Sequence, residues 1–353
     1  MFLEAAIGDA YGAGFEYADP AVVRAENDPR KGYRQHRVPK GCYTDDTQMA
    51  IALAFVMLKS DWRDVTATDL ANQFMAQFRA DPRIGYSGKF QEILTEITAL
   101  MTKFGKNLGG PEFLRRIRPN SAKSGGAMRA WPCGLLPTLE DAIDFSMFQA
   151  SLTHATREGM DAAAAVATLV WCCRQGYDGD MISETLDARV PGYAWEIPWK
   201  GPVGSSGIAA VKAAVTAVNY SASMVEILRE SVAFTGDVDT VACIALAAAS
   251  VHPDIINDLP KILYQGLEKG KYGLQFLKDL DSRMLKQFPL IVPQFDVSSL
   301  EHDLPVDLNP CGEIPLEDIK PDPNYKSPTL EKLRGQRGIL DLLKPDVEDD
   351  YGD

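Results

Sequence analysis

Two stretches far apart in the chain repeat one pattern, DTxxxIALA: Asp46-Thr47-Gln48-Met49-Ala50-Ile51-Ala52-Leu53-Ala54 and Asp239-Thr240-Val241-Ala242-Cys243-Ile244-Ala245-Leu246-Ala247. Each places acids at the mouth of an apolar, helix-like run. Asp and Thr are good helix N-caps, because their oxygens accept from the unpaired N–H groups of the first turn, and a carboxylate there also suits the helix dipole. One cap needs one acceptor, however, and Thr44-Asp45-Asp46 together with Asp237-x-Asp239-Thr240 offer four carboxylates plus hydroxyls. If the two mouths converge, like charges about 4 Å apart repel by roughly 4 kcal/mol even at an effective dielectric near 20, so a cation is needed between them. An all-oxygen donor set without His or Cys selects a hard divalent ion, Mg²⁺ ahead of Zn²⁺, with Mn²⁺ or Ca²⁺ as alternatives. Adding the nearby acid Glu16 gives five negative charges, which a pair of ions brings closer to neutrality than one does.

Two further segments carry chemistry. In Gly8-Asp9-Ala10-Tyr11-Gly12-Ala13-Gly14-Phe15-Glu16 the glycines permit a tight bend or close helix packing and leave Glu16 beyond them. In Ser124-Gly125-Gly126-Ala127-Met128-Arg129-Ala130-Trp131-Pro132 small residues precede an expected helix start, which would expose backbone N–H groups to an anion such as pyrophosphate. Arg129 is a candidate to neutralise that anion, or else forms a structural ion pair.

The elements that must position these groups read as helices. Thr47 to Lys59, Gly159 to Arg174, Ser206 to Asn219 and Asp239 to Ser250 are Ala-rich runs whose small residues allow close approach around a common core. Asp61 to Phe78 and Met224 to Phe234 are amphipathic and predicted to wrap that core. Alternating β-type runs are scarce, so the expected fold class is all-α, a multi-helix bundle in one domain over 1–292. From Pro293 the composition shifts. Eight of the chain's 22 prolines lie between there and Pro345, and the last stretch, DLLKPDVEDDYGD, is strongly acidic. Residues 293–353 therefore read as an irregular arm with a disordered acidic tail.

Composition narrows the partners. With 36 Lys+Arg against 49 Asp+Glu the formal charge is −13, a field that opposes nucleic acid and anionic lipid. No segment supplies the roughly 18 uninterrupted apolar residues a membrane helix requires. The N-terminal stretch carries Glu4 and Asp9 and no basic leader, unlike a secretory signal. The cysteines, Cys42, Cys133, Cys172, Cys173, Cys243 and Cys311, contain no CxxC pair, which fits reduced thiols. A cytoplasmic, monomeric protein is the expectation.

Taken in order, GDAYGAGFE (Gly8 to Glu16), GCYTDDTQM (Gly41 to Met49), SGGAMRAWPCG (Ser124 to Gly134), SLTHAT (Ser151 to Thr156) and TGDVDTVA (Thr235 to Ala242) resemble the ADP-ribosylglycohydrolase family, over roughly residues 3 to 252. The resemblance implies an all-α fold with a binuclear Mg²⁺ centre that hydrolyses the glycosidic bond joining ADP-ribose to an acceptor. Carried over by position, it implies Thr44, Asp45, Asp46, Asp237, Asp239 and Thr240 as metal ligands, with Asp45 and Asp239 essential to turnover, and Glu16 as general acid/base. It implies Ser124, Gly125, Gly126, Ala127 and Met128 as the phosphate-contacting loop and His154 as a substrate contact. Two positions depart from the pattern: Ser124 stands where the family often has Asn, and Thr235 where a second Gly is common. The implied partner is an ADP-ribosylated protein, with ADP-ribosylarginine the first choice of linkage and serine, polymeric or nucleic-acid linkages open. Alternatives are an immunity protein that neutralises a cognate ADP-ribosyltransferase toxin by reversal or direct binding, a different binuclear-metal hydrolase such as a phosphoesterase, and a non-catalytic relative.

Overall fold

Helix starts follow the caps that the sequence supplies. Thr66, Thr138, Thr156, Asp178, Ser206 and Ser223 each accept the N–H three residues on, and Asp69 closes a reciprocal box with Thr66. The computed structural model describes residues 1–59 and 61–290. In chain order the helices are α1 (Phe2–Gly12), α2 (Pro20–Glu26), α3 (Asp45–Lys59), α4 (Ala67–Ala80), α5 (Gly88–Phe104), α6 (Gly109–Arg116) and α7 (Leu139–Ser151), then α8 (Arg157–Gln175), α9 (Gly179–Arg189), α10 (Gly207–Asn219), α11 (Met224–Ala233), α12 (Val238–Ala249), α13 (Lys261–Gly266) and α14 (Leu274–Gln287). Only isolated bridges, such as Val203 with Gly236, break the helical pattern among the described residues. The fold is all-α.

Burial sorts the helices into two kinds. Every residue of α12 is buried, as is nearly all of α1 and most of α3, so these three are apolar on all sides and form the centre. Ala-rich α8 and α10 pack beside α12. Helices α4, α5, α11 and α14 bury one stripe each and face water with the other, as their mixed three and four spacings require. The α1–α12 contact is backbone to backbone. A Cβ placed on Gly8 would lie 2.3 Å from the Ala242 carbonyl oxygen, and one on Gly12 would lie 2.5 Å from the Asp239 Cα. Of the two roles open to these glycines, close helix packing is the one they fill.

The expected helix from Asp61 to Phe78 is divided. Trp62–Asp64 forms a 3₁₀ turn, the chain extends at Val65, and α4 begins only after the Thr66 cap. The amphipathic pattern continued through the gap, but the capping box fixed the start. The Pro-rich arm assigned to 293–353 lies outside the described residues. Cys42, Cys133, Cys172, Cys173 and Cys243 are free thiols. No helix among the described residues is long and apolar enough to cross a membrane.

Candidate functional site

The amides at the start of α3 are satisfied from another helix. Asp9, fully buried on α1, accepts from the Thr44 N–H at 3.0 Å, the Thr44 hydroxyl at 2.9 Å, the Thr47 N–H at 3.0 Å and the Thr47 hydroxyl at 2.6 Å. Burial raises its carboxyl to about 6, and the hydrogen bonds from Thr47 and Thr44 oppose the rise. With Asp9 as the cap, Asp45 and Asp46 have no capping duty. Sequence reading missed this role for Asp9. The available signal was an ionisable residue within an otherwise apolar, fully buried helix, which must find partners.

The mouth of α12 is set by three ties. Close packing of Gly12 against Asp239 brings α1 onto its first turn. The Tyr17 N–H donates to the Gly236 carbonyl at 2.8 Å, so the chain carrying Glu16 is joined to the same turn. Val203 brackets the turn from the other side, donating to the Thr235 carbonyl and accepting from the Asp237 N–H, both at 2.9 Å. That bracketing needs left-handed backbone at Thr235 (φ 66°) and Gly236 (φ 92°), which explains why glycine suits position 235. Asp237 makes no cap bond to its own helix. Instead its Oδ2 accepts from the Ser124 hydroxyl at 2.9 Å.

The two mouths converge, since α3 packs against α12, and the acids at their ends perturb one another. Asp45, Asp46 and Asp239 are all pushed well above the usual carboxylate range, first by burial and then by one another and by Asp9, Asp237 and Glu16. Asp237 is raised by burial, with Asp239, Ser124 and Thr240 opposing the rise. Glu16 is raised by burial and by Asp237 and Asp9, while Arg37, 3.4 Å away, pulls it back. Asp46 Oδ2 is buried with no hydrogen-bond partner among the described residues. A buried, unpaired carboxylate oxygen among like charges fits a hard cation, and Thr44 and Thr240 add hydroxyls to the donor set. Among the described residues no three His, Cys, Asp or Glu side chains close on one point.

The loop expected to contact phosphate forms a 3₁₀ turn, Ser124–Gly126, where a helix start was expected, and a second 3₁₀ helix follows at Trp131–Leu135. Pro132 at the start of that second segment has no N–H to continue a helical ladder. The Ala127 and Met128 side chains are buried, so any contact they make with a ligand is through the main chain. His154 lies against the loop: a Cβ on Gly125 would be 3.2 Å from its Nε2, and one on Gly126 would be 3.1 Å from its ring carbon. Burial and the charge of Arg129 lower His154 to about 3, so the ring is neutral. Arg129 does not reach the ligand side. It is 1% exposed, over the Phe74 ring at 4.7 Å, and donates to Gln149 and Thr153.

A further wall was not read from sequence. Gly85 (φ 125°) comes so close to Asp45 that a Cβ there would sit 1.9 Å from its Oδ1, and neighbouring Tyr86 donates its hydroxyl to Gln48. Arg83, paired with Asp81 and Glu268, pins this α4–α5 connection. Loops pattern weakly in sequence, and only a glycine beside an aromatic hinted at it.

Comparisons with known proteins bear on the family and the fold. The family model described as ADP-ribosylglycohydrolase matches residues 1–288. ADP-ribosylhydrolase ARH3 of Bos taurus is 30% identical over 180 residues, covering 49% of this chain and 48% of that protein. The Xenopus tropicalis ADP-ribosylhydrolase ARH3 is 30% identical over 187 residues, 49% of each. The chain thus aligns with about half the length of these curated relatives. A solved structure titled ADP-ribosylglycohydrolase-related protein complex shares the fold, with a TM-score of 0.61 at 22% identity over 81% of this chain and 95% of that one.

Proposed function

The chain belongs to the ADP-ribosylglycohydrolase family, and from that premise we propose that it is a Mg²⁺-dependent hydrolase that releases ADP-ribose from a modified protein. The observation carrying this reading is the convergence of the α3 and α12 mouths around Asp46, whose buried Oδ2 has no hydrogen-bond partner among the described residues. Thr44, Asp45, Asp46, Asp237, Asp239 and Thr240 would hold two divalent ions. Those ions would supply Lewis-acid positioning of the ribose hydroxyls and of water.

The residues themselves divide the work. Glu16 is raised by burial yet one-fifth exposed, so it keeps its proton to higher pH than an ordinary carboxyl and stays open to exchange, the properties a general acid/base needs. Ser124 to Met128 offers main-chain groups and small side chains where the pyrophosphate would lie, and His154 backs that loop. Arginine-linked ADP-ribose is the linkage we propose first. An ADP-ribosylated arginine side chain is cationic in the bound substrate, and that charge is favoured by the field of a protein of net charge −13.

The test incubates the full chain with arginine-, serine- and DNA-linked ADP-ribose, with Mg²⁺ or with EDTA, and identifies the product by mass spectrometry. Release of free ADP-ribose from the arginine-linked substrate, lost in EDTA, is the expected result. Release of inorganic phosphate, or turnover unaffected by EDTA, would overturn the reading. Release from the serine-linked substrate alone would reject the proposed linkage and leave the reaction class in place.

A further inference from the structure

Behind the Ser124–Met128 loop lies a buried polar chain that touches none of the acids' hydrogen bonds. The Arg129 Nε donates to Gln149 Oε1 at 2.6 Å, and its Nη2 donates to the Thr153 hydroxyl oxygen at 2.8 Å. Gln149 then uses its amide Nε2 to donate to the Gly126 carbonyl at 2.8 Å, which fixes the loop backbone. Thr153 Oγ1 lies 2.7 Å from His154 Nδ1. Arg129, Gln149 and Thr153 are all buried, and among the described residues Arg129 has no carboxylate in hydrogen-bonding contact.

The proton count along this chain has one consistent solution. A guanidinium can only donate, so it occupies a lone pair of the Thr153 oxygen. The hydroxyl has a single proton, and among the described residues the acceptor within its reach is His154 Nδ1. The reverse arrangement, with Nδ1–H donating to Thr153, would bury the hydroxyl proton without an acceptor, which folded proteins avoid. Nδ1 therefore accepts and the ring proton sits on Nε2, which has no hydrogen-bond partner among the described residues and lies against Gly125. We infer that Arg129 and Thr153 are positioning residues that lock His154 in the Nε2–H tautomer and aim that N–H, with the Gln149-anchored loop, at an oxygen of the bound ADP-ribose diphosphate. The inference rests on the loop being the pyrophosphate site. It adds which ring nitrogen donates and what enforces the choice.

A neutral donor is useful at this place. It binds the diphosphate without a charge that would titrate near neutrality, and it adds no cation to compete for the acids at the helix mouths. The orientation is also inexpensive to maintain. Arg129 is clamped by Gln149 on one side and by the Phe74 ring on the other, so the Thr153 hydroxyl has little rotational freedom left.

Long-range ¹H–¹⁵N spectra of the full chain labelled with ¹⁵N-histidine test this directly, with the His154 ring assigned by its absence in His154→Gln. Wild type is expected to show an unprotonated Nδ1 and a protonated Nε2, and a protonated Nδ1 would overturn the inference without any further variant. Thr153→Val should give averaged tautomers and weaken ADP-ribose binding in calorimetry about tenfold, the worth of one buried hydrogen bond. Thr153→Ser should restore both. A wild-type ring pattern and wild-type affinity in Thr153→Val would also overturn it. Failure of wild type to bind ADP-ribose at all would defeat the proposed function, while the ring spectra would still decide the tautomer.

Discussion

The acid side of the site and the Arg129 side are built on opposite principles, although both are buried and both border the same loop. At the mouths of α3 and α12 the charges are alike, their protonation is pushed upward by burial and mutual repulsion, and Asp46 Oδ2 has no hydrogen-bond partner among the described residues. Around Arg129 the hydrogen-bond partners among the described residues are neutral: its donors meet Gln149 and Thr153, which in turn meet Gly126 and His154. The first region is incomplete by itself, and under the proposed function a cation from outside completes it. The second satisfies itself. Buried polar groups that satisfy one another stiffen a fold, whereas buried like charges destabilise it unless a ligand offsets them. The contrast separates the part of the site that binds from the part that aligns.

Charge removal on each side should break that symmetry most sharply. Asp239→Asn is expected to lower turnover by about a thousandfold or more, the several kcal/mol that metal assistance supplies, with Mg²⁺ binding lost in the same calorimetric titration. Yet the metal-free variant should be more stable than wild type by about 1–2 kcal/mol in urea unfolding, because one of the repelling carboxylates is gone. Arg129→Met should do the reverse. It leaves Gln149 and Thr153 without their donor and should cost about 2–3 kcal/mol with metal absent or present. Expectations of opposite sign from two neighbouring sites make the comparison easy to refute: a stabilised Arg129→Met or a destabilised metal-free Asp239→Asn would remove it.

A backbone test comes next. Gly12→Ala puts a methyl against the Asp239 main chain, where nothing flexible can yield. It should cost about 2–3 kcal/mol in thermal melts and weaken Mg²⁺ binding, since it parts the helices that bring the acids together. Acid should act on the other region. His154 stays neutral in the fold down to about 3, against an ordinary value of 6.5, so between those limits the unfolded chain takes up a proton that the folded ring refuses. Stability is then lost as pH falls through that window, by up to about 2 kcal/mol between pH 7 and pH 5. Urea midpoints of His154→Gln should lack that component. The smallest effect is expected at the α12 turn: Thr235→Gly should stabilise by about 1 kcal/mol by relieving the left-handed backbone there, read as a higher melting temperature.

Much of this was legible in the chain. The Ala-rich runs marked α3, α8, α10 and α12 to within a few residues, because helices buried on all sides need a long apolar run and nothing else. Thr44-Asp45-Asp46 and Asp237-x-Asp239-Thr240 stood out because they supply more acceptors than a cap can use. The loop at Ser124 was located, but its conformation was not, since Pro132 and local backbone bonding decided for 3₁₀ turns. Arg129 was left open between an anion contact and a structural ion pair and proves to be buried and to face inward, because periodicity gives the face of a regular helix and this residue sits in an irregular connection. Asp9 was read only as a charge unsuited to a signal segment.

What the linear order of residues determined, then, is the helical class, the ends of most core helices and the identity of the acids, since propensity, capping and side-chain chemistry are local properties. Three things were left to the tertiary structure: that Asp9 caps a helix other than its own, that Gly8 and Gly12 let α1 meet α12 closely enough to gather the carboxylates, and that Arg129 turns inward to hold Thr153 and His154. Each is a contact between residues distant along the chain. Its existence depends on which surfaces the packed helices bring within hydrogen-bonding or van der Waals range, and no local rule carries that information.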